Sequence, residues 1–298
     1  MALRTVCCKL LTVRCMAQQS FAARTLGTQA STKESEAFKS GQTHFGFQVV
    51  NEEDKTKRVH EVFETVAEKY DLMNDVMSMG VHRLWKDIFM HRLAPRHETK
   101  LLDMAGGTGD ISFRYIKYLE SLGPAAAGAR SGVTVCDINQ AMLDVGKARA
   151  QRLGYTRESC GVDVQWVCAD AEKLPMPDDT YNAYTIAFGI RNCTRIDKVL
   201  EEAYRVLTPG GRFMCLEFSQ LPNNTLQWAY DQYSFQVIPV LGQLFAGQWK
   251  PYQYLVESIR QFPHQEKFKT MIEDAGFRQV TYENLTFGTC AIHSGFKI

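Results

Sequence analysis

The stretch LLDMAGGTGD, at residues 101–110, joins a short apolar run with an acid near its end to a glycine-rich turn. The run predicts a strand, and the glycines predict a tight turn that opens a helix. Glycines let backbone amides approach a ligand without obstruction by Cβ atoms, and the start of a helix favours anionic or polar groups. The stretch therefore predicts a nucleotide-like ligand with Gly107, Thr108 and Gly109 among its contacts. An ordinary strand-to-helix turn is the simpler alternative.

Strand and helix patterns alternate along the chain after this turn. Predicted strands lie at 100–105, 133–137, 164–169, 182–189 and 211–218. Helical stretches separate them, and this alternation predicts an α/β fold with a doubly wound, mostly parallel sheet. Two further alternating runs, 278–287 and 289–297, flank Gly288 and predict an antiparallel hairpin that completes a seven-stranded sheet.

Acidic residues lie at the ends of the second and third predicted strands. Asp137, in VTVCDIN, can accept both hydrogens of a ribose diol, whereas Asp170, in VQWVCADAEKLP, is followed by Ala171 and suits the exocyclic amine of adenine. Each acid alone is more commonly a helix cap or a turn residue. Together with the glycine turn they predict a nucleotide site at the carboxyl edge of the sheet. A dinucleotide fold binds at the same edge, but its G-x-G-x-x-G pattern fails at Ser112.

These three elements resemble the motifs of class I S-adenosylmethionine methyltransferases, whose sheet ends in the same antiparallel hairpin. One departure is Ala105, which stands where that family usually has the first glycine of D-x-G-x-G-x-G. Longer stretches resemble the ubiquinone/menaquinone-biosynthesis C-methyltransferases, and the resemblance covers most of residues 58–298. These stretches are YDLMNDVMSMGVHRLWK at 70–86, FGIRNCT at 188–194, RVLTPGGRFMCLEFS at 205–219 and YSFQVIPVLG at 233–242.

The resemblance implies a reaction, a cofactor and a set of partners. S-adenosylmethionine is the expected methyl donor, no metal is expected, and the expected acceptor is the ring of 2-methoxy-6-polyprenyl-1,4-benzoquinol in ubiquinone biosynthesis. The expected partners are other ubiquinone-biosynthesis proteins in a multi-subunit complex, a second copy in a homodimer, and the matrix face of the mitochondrial inner membrane. An O- or N-methyltransferase of the same fold, a cofactor-binding scaffold subunit without turnover, and a dehydrogenase are the alternatives.

Residues near the end of the fourth strand are the candidates for catalysis. Arg191 and Asn192, together with Tyr70, are expected around the ring hydroxyls, where Arg191 favours the phenolate or polarises a water. Arginine is a poor direct base because its pKa exceeds about 12, so His82 is the alternative base. An ordinary salt bridge and cap are the alternative roles for Arg191 and Asn192.

The N-terminus and the charge balance bound the remaining organisation. Residues 1–33 contain five basic residues and no acid, which predicts a mitochondrial transit peptide rather than a disordered basic tail. A polar linker is predicted over 34–57 and the methyltransferase domain over 58–298, with helices within 59–93 and the segment 222–262 covering the substrate. Beyond residue 33, 29 of the 34 basic residues remain against 33 acids, which disfavours a nucleic-acid binder.

The sequence supports neither a cysteine-based metal site nor a membrane-spanning helix. Six of the nine cysteines lie beyond residue 33, and none of them forms a C-x-x-C pair or another metal-ligand spacing. No apolar run reaches the roughly 18 residues that a membrane-spanning helix needs, so any membrane contact is predicted to be peripheral.

Overall fold

A computed structural model describes residues 41–66, 74–75, 78–243 and 249–298. The strands are β1 (Gln42–Phe45), β2 (Gln48–Asn51), β3 (Lys100–Met104), β4 (Ser131–Asp137), β5 (Val162–Cys168), β6 (Tyr181–Ala187), β7 (Leu207–Phe218), β8 (Arg278–Leu285) and β9 (Cys290–Phe296). The helices are α1 (Glu52–Val66), α2 (Val81–Leu93), α3 (Asp110–Ser121), α4 (Gln140–Leu153), α5 (Arg157–Cys160), α6 (Ile196–Val206), α7 (Asn224–Gln236), α8 (Ile238–Leu241), α9 (Lys250–Gln261) and α10 (Gln265–Asp274). The predicted transit peptide and Tyr70 lie outside the described residues.

Seven strands form one sheet in the order β5-β4-β3-β6-β7-β9-β8. The neighbours from β5 to β7 are parallel, and β9 is antiparallel to both β7 and β8. The predicted seven-stranded sheet with a C-terminal antiparallel hairpin is therefore confirmed. Because β3 has β4 on one side and β6 on the other, the strand order reverses there, and a crevice opens at the carboxyl ends of these strands.

Both faces of the sheet are buried under helices. Leu101 and Leu102, adjacent on β3, are both fully buried but belong to different hydrophobic clusters. Successive side chains of a strand point to opposite faces, so the two residues mark the two layers of the core. One cluster includes residues of α2 and α3, and the other includes residues of α6 and α10. This arrangement explains why the central strands read as continuous apolar runs.

The segment before α1 differs from the prediction of a polar linker over 34–57. Its described part folds into the antiparallel β1-β2 hairpin, and α1 begins at Glu52 rather than near Val59. The hairpin turns at Gly46, whose φ of 58° is in the left-handed region. The ring of Phe45 stacks on Tyr254 of α9, with 4.2 Å between the ring centroids. Periodicity over so short a polar stretch could not reveal this packing, because the partner lies about 200 residues away.

Candidate cofactor and acceptor site

A cavity opens at the carboxyl edge of the sheet, where β3, β4 and β6 end. Its lining consists of 103–108, 110–111, Met142, 137–139, 170–172, 187–189, 192–194, Lys86, and Thr56, Val59 and His60 of α1. Of the predicted site residues, Gly107, Thr108, Asp137, Asp170, Ala171 and Asn192 line this cavity. Gly109 and Arg191 do not line it.

The glycine-rich turn leaves no room for side chains at its centre. A Cβ atom on Gly106 would come within 2.9 Å of the carbonyl oxygen of Asp103. Gly107 has a φ of 51° and lies over Asp137, while Gly109 has a φ of 82° and packs against the ring of Phe113. The turn is therefore a backbone cradle open to a polar ligand, and Gly109 serves the packing of α3 rather than the cavity wall.

Ala105 occupies a left-handed conformation that usually favours glycine, with a φ of 51°. Its methyl group lies against Gly189, where an added Cβ would come within 2.4 Å of the Cβ of Ala105. The missing side chain at Gly189 therefore makes room for the extra methyl at Ala105. This pairing explains how the departure from the family's glycine pattern is accommodated.

Asp103 lines the cavity, although it was not among the predicted site residues. It is fully buried at the end of β3, and its Oδ2 accepts hydrogen bonds from the Ser112 amide at 3.1 Å and the Ser112 hydroxyl at 2.6 Å. Burial raises the pKa of its carboxyl to about 7, against the opposing effect of these hydrogen bonds. The sequence could have identified Asp103 by its position just before the glycine turn, because an acid at the end of this strand reaches the crevice.

Asp137 closes the far side of the turn with both carboxylate oxygens. Oδ2 accepts a hydrogen bond from the Gly107 amide at 3.0 Å, and Oδ1 accepts one from the Asn139 amide at 2.9 Å. Burial raises its pKa to about 6, while these amides oppose the rise. Each oxygen has a second lone pair, so the carboxylate can also accept the two hydrogens of a vicinal diol.

Asp170 and Ala171 differ in their exposure. The carboxylate of Asp170 is exposed, and its Oδ1 accepts a hydrogen bond from the Glu172 amide at 2.9 Å, as in a side-chain turn. Ala171 is buried in the core cluster of one sheet face. Asp170 therefore has a structural role in its loop beside its place in the cavity wall.

Asn192 reaches the cavity from the turn after β6. Its Oδ1 accepts a hydrogen bond at 3.1 Å from the hydroxyl of Tyr254, on α9. Burial raises the pKa of that tyrosine. Lys55 of α1 donates to the carbonyl oxygen of Cys193 at 2.8 Å. Helices α1 and α9 are therefore both anchored on the same turn.

Arg191 does not line the cavity, and its side chain is engaged in the protein interior. Its Nη1 donates to Glu217 Oε1 at 2.9 Å and to the carbonyl oxygen of Phe188 at 2.5 Å. Both charged side chains are buried, with Arg191 5% and Glu217 1% exposed. Burial raises the pKa of Glu217, and the charge of Arg191 opposes that rise. The structure thus has the salt bridge that was the alternative reading of Arg191.

His82, the alternative base, also lies outside the cavity wall. It is buried, and its Nε2 is 2.9 Å from Asp75 Oδ1. Burial and the nearby charge of Lys86 lower its pKa.

A charged cluster at the start of α3 was missed by the sequence analysis. Lys86 Nζ lies 2.7 Å from Asp110 Oδ2, and both side chains line the cavity. Arg114 also pairs with Asp110, and Arg149 Nη2 lies 3.8 Å from it. Although burial alone would raise the pKa of Asp110, these three cations hold it well below its ordinary value. No spacing rule links α2 to α3, so only the fold reveals the cluster.

The cavity fits S-adenosylmethionine on its own geometry. The glycines let the turn pack closely against β3 and β4 and leave its backbone along the cavity wall, and the polar groups of that wall suit ribose and adenine. Within the described ranges, no group of three or more His, Cys, Asp or Glu side chains could hold a metal ion. None of the helices in those ranges is long and apolar enough to cross a membrane.

Comparisons with known proteins give one consistent family. The profile of the ubiE/COQ5 methyltransferase family matches residues 49–297. The 2-methoxy-6-polyprenyl-1,4-benzoquinol methylase, mitochondrial, of Drosophila melanogaster is 66% identical over 270 residues, which cover 90% of this chain and 89% of that protein. The protein of the same name from Dictyostelium discoideum is 55% identical and covers 91% of this chain and 91% of its own length. The one from Homo sapiens is 53% identical and covers 87% of this chain and 86% of its own length.

Solved structures agree with the fold. A SAM-dependent methyltransferase from Aquifex aeolicus has a TM-score of 0.52 at 16% identity, covering 76% of this chain and 98% of that one. The [4+2]-cyclase SpnF has a TM-score of 0.51 at 17% identity, covering 72% and 81%. Since a cyclase shares the architecture, the fold alone does not specify the reaction. The predictions of a methyltransferase and of S-adenosylmethionine as its methyl donor are confirmed by the family match.

Proposed function

The chain belongs to the ubiE/COQ5 methyltransferase family, and on that basis we propose that it methylates a ring carbon of 2-methoxy-6-polyprenyl-1,4-benzoquinol in ubiquinone biosynthesis. One observation carries the site assignment: Asp137, on the cofactor side, and Asn192, beyond β6, line the same cavity. A donor and an aromatic acceptor bound there would meet at the end of β6. An O- or N-methyltransferase would use the same cofactor half, so the acceptor half distinguishes the reactions.

In this proposal the residues after β4 and β5 hold the adenosine part of the cofactor. Asp137 accepts from the ribose hydroxyls, and Asp170 accepts from the adenine amine beside the small side chain of Ala171. The backbone of Gly107 and Thr108 faces the same ligand across the turn. When bound, S-adenosylmethionine supplies an electrophilic methyl group on its sulfonium.

The acceptor half then has to hold an electron-rich ring and to exclude water. The ring carbon gains the methyl group and loses its hydrogen as a proton, so the chain must orient the ring hydroxyls and provide a route for that proton. We assign Asn192 to one hydroxyl, with Tyr254 fixing the orientation of its amide. Tyr70 is assigned to the ring as well, from its place in the motif at 70–86.

Arg191 takes an indirect role in this scheme. Glu217 and the Phe188 carbonyl hold its guanidinium beside the turn that carries Asn192. Because the Glu217 carboxylate offsets this charge, the proposed contribution of Arg191 is to hold the turn in place and to polarise a water that takes the proton. Arg191 is therefore a positioning and electrostatic residue.

The reaction is tested directly with the purified protein. Labelled S-adenosylmethionine and a short-tailed methoxy-benzoquinol, kept reduced, should give a product whose added methyl group mass spectrometry locates on a ring carbon. A methyl group on oxygen would instead show that the protein is an O-methyltransferase. Binding of the cofactor without any turnover would favour the scaffold alternative.

We assign the protein to mitochondria, because the names of its relatives from Drosophila melanogaster and Homo sapiens give that location for them. We propose further that residues 1–33 are the transit peptide and that the domain works in the matrix. Deleting residues 1–33 should abolish import into isolated mitochondria and leave the catalytic domain folded. Import of the truncated chain would contradict this assignment.

The matrix face of the inner membrane is the proposed working surface, because the polyprenyl tail resides in a bilayer. Leu226 and Trp228, at the start of α7, are 48% and 65% exposed, and tryptophan favours membrane interfaces. Leu226→Ser should weaken binding to cardiolipin-containing vesicles. Leu153→Ser, at an equally exposed leucine of α4, is the matched control and should not. Equal loss in both variants would contradict a specific membrane face.

Assembly with other proteins is proposed on the same grounds. A polyprenyl intermediate that stays in the membrane is passed efficiently between enzymes only if they are close together, which favours a multi-subunit complex of ubiquinone-biosynthesis proteins. A homodimer is a separate proposal, which no contact in the described residues supports or contradicts. Light scattering of the purified protein tests the homodimer, and cross-linking in intact mitochondria tests the multi-subunit complex.

A further inference from the structure

Lys86 is a buried lysine whose ammonium lies in the wall of the cofactor cavity. The residue is 4% exposed, on α2, and its Nζ lies 6.0 Å from the ring centroid of Phe188. An ammonium has three hydrogen-bond donors. Within the described part of the chain, Nζ donates one hydrogen bond, to Asp110 Oδ2 at 2.7 Å. A lysine so placed is costly to bury unless further acceptors reach it.

Asp110 does not account for this lysine, because it already has other cations. Arg114 pairs with Asp110 Oδ1, and Arg149 lies 3.8 Å from the same oxygen. Arg114 also pairs with Asp87, at 2.7 Å, so three cations face two carboxylates at the N-terminus of α3, where the helix dipole adds positive potential. The cluster at this end of the cavity therefore favours an additional anion.

The order of groups around the cavity indicates which anion fits. Asp170 lies beyond β5, Asp137 is the last residue of β4, and Lys86 lies near Phe188, just after β6. In the sheet, β3 lies between β4 and β6. Asp170 therefore lies where the adenine is proposed to bind, Asp137 lies at the ribose, and Lys86 lies beyond the ribose, on the far side of the sulfonium. In S-adenosylmethionine that far group is the methionyl moiety, which ends in a carboxylate.

We propose that Lys86 binds the carboxylate of the methionyl moiety of S-adenosylmethionine, while Asp110 holds the ammonium group of Lys86 in place. The proposal rests on the cofactor site described above and not on the quinol. Lysine and carboxylate form a charge-assisted hydrogen bond, and Asp110 fixes the side chain before the ligand arrives. The residue therefore selects cofactors that carry the complete amino-acid end.

Calorimetric titration of the purified full-length chain tests this with two ligands. S-adenosylmethionine carries the carboxylate, and decarboxylated S-adenosylmethionine lacks only that group. The wild-type protein should prefer the complete cofactor by about 10- to 100-fold in Kd. Lys86→Met should remove this preference by weakening the complete cofactor alone. Lys86→Arg should restore part of it, because the charge is kept.

Controls separate the proposal from a structural role of Lys86. Lys117→Met, at an exposed lysine of α3, should leave both affinities unchanged. Equal weakening of both ligands by Lys86→Met would overturn the proposal, since it would show damage to the whole pocket. Should that variant fail to fold, equal affinity of the wild-type protein for the two ligands would still overturn it. No quinol enters the titration, so failure of ring methylation would leave this result independent.

Discussion

The two halves of the carboxyl edge differ in how their residues come together. On the cofactor half, Asp137 and Asp170 each end or follow a strand, and the glycine turn follows β3 directly. On the acceptor half, Asn192 meets Tyr254 across 62 residues of sequence, and Tyr254 stacks on Phe45 of the N-terminal hairpin. The first half depends on strand order alone, whereas the second depends on how distant segments pack. Substitutions should therefore act on ligand binding in one half and on both packing and turnover in the other.

Glu217→Gln should give the largest effect on stability, because it leaves the buried charge of Arg191 without its carboxylate. Removing one partner of a buried ion pair lowers the free energy of unfolding by about 3–5 kcal/mol. Chemical denaturation of the purified variant measures this loss. Asp137→Asn, the matched change on the cofactor half, should alter stability far less. A similar loss in both variants would break the distinction between the halves.

Arg191→Lys should reduce the rate of methyl transfer by about 10²-fold, since misplacing a group that organises a reaction costs about that much. Lysine keeps the charge opposite Glu217, but its shorter side chain displaces the donor, because in the wild type the rigid guanidinium holds Nη1 where it donates to both Glu217 and the Phe188 carbonyl. Single-turnover kinetics with saturating cofactor and reduced quinol measure the rate.

The same variant should bind S-adenosylmethionine almost as the wild type does, because Arg191 does not line the cavity. Calorimetric titration measures that affinity. A wild-type rate would contradict the proposed positioning role of Arg191. A parallel fall in affinity and rate would instead assign Arg191 to the fold.

Asp137→Ala should weaken binding of S-adenosylmethionine by about 1.5–3 kcal/mol, because the ribose diol loses a charged acceptor. The wild-type affinity should also depend on pH. Burial raises the pKa of Asp137 to about 6, so the carboxylate is charged above that pH and becomes protonated below it. Affinity should accordingly fall as the pH drops through 6, and this fall should be smaller in Asp137→Asn, in which Asp103, with a pKa of about 7, still titrates in the cavity wall. An unchanged affinity in folded Asp137→Ala would contradict the ribose assignment.

These differences follow the limits of what the sequence could predict. Strand-end positions such as Asp137 were predictable, because an apolar run, a turn and an acid lie within a few residues of one another. The environment of Arg191 was not, since Glu217 is 26 residues away and nothing in either motif shows that the two side chains turn toward each other. The β1-β2 hairpin was missed for the same reason: Phe45 acquires its partner only when α9 is in place.

Asp170→Ala should give the smallest effect, a loss of about 0.5–1.5 kcal/mol in cofactor binding, because a single hydrogen bond to a neutral amine is removed from an exposed carboxylate. The variant also loses the acceptor for the Glu172 amide, so a loop effect must be separated from a ligand effect. Titration with S-adenosylhomocysteine and with S-inosylhomocysteine, which lacks the adenine amine, makes that separation. If Asp170 contacts the amine, the wild-type protein should favour the adenosyl ligand and Asp170→Ala should bind both alike. Asp170→Asn keeps an oxygen for the turn and for the amine, so it should retain most of the preference. Equal weakening of both ligands in Asp170→Ala would mean that the residue acts through its loop, and the adenine contact would then have to come from another part of the wall.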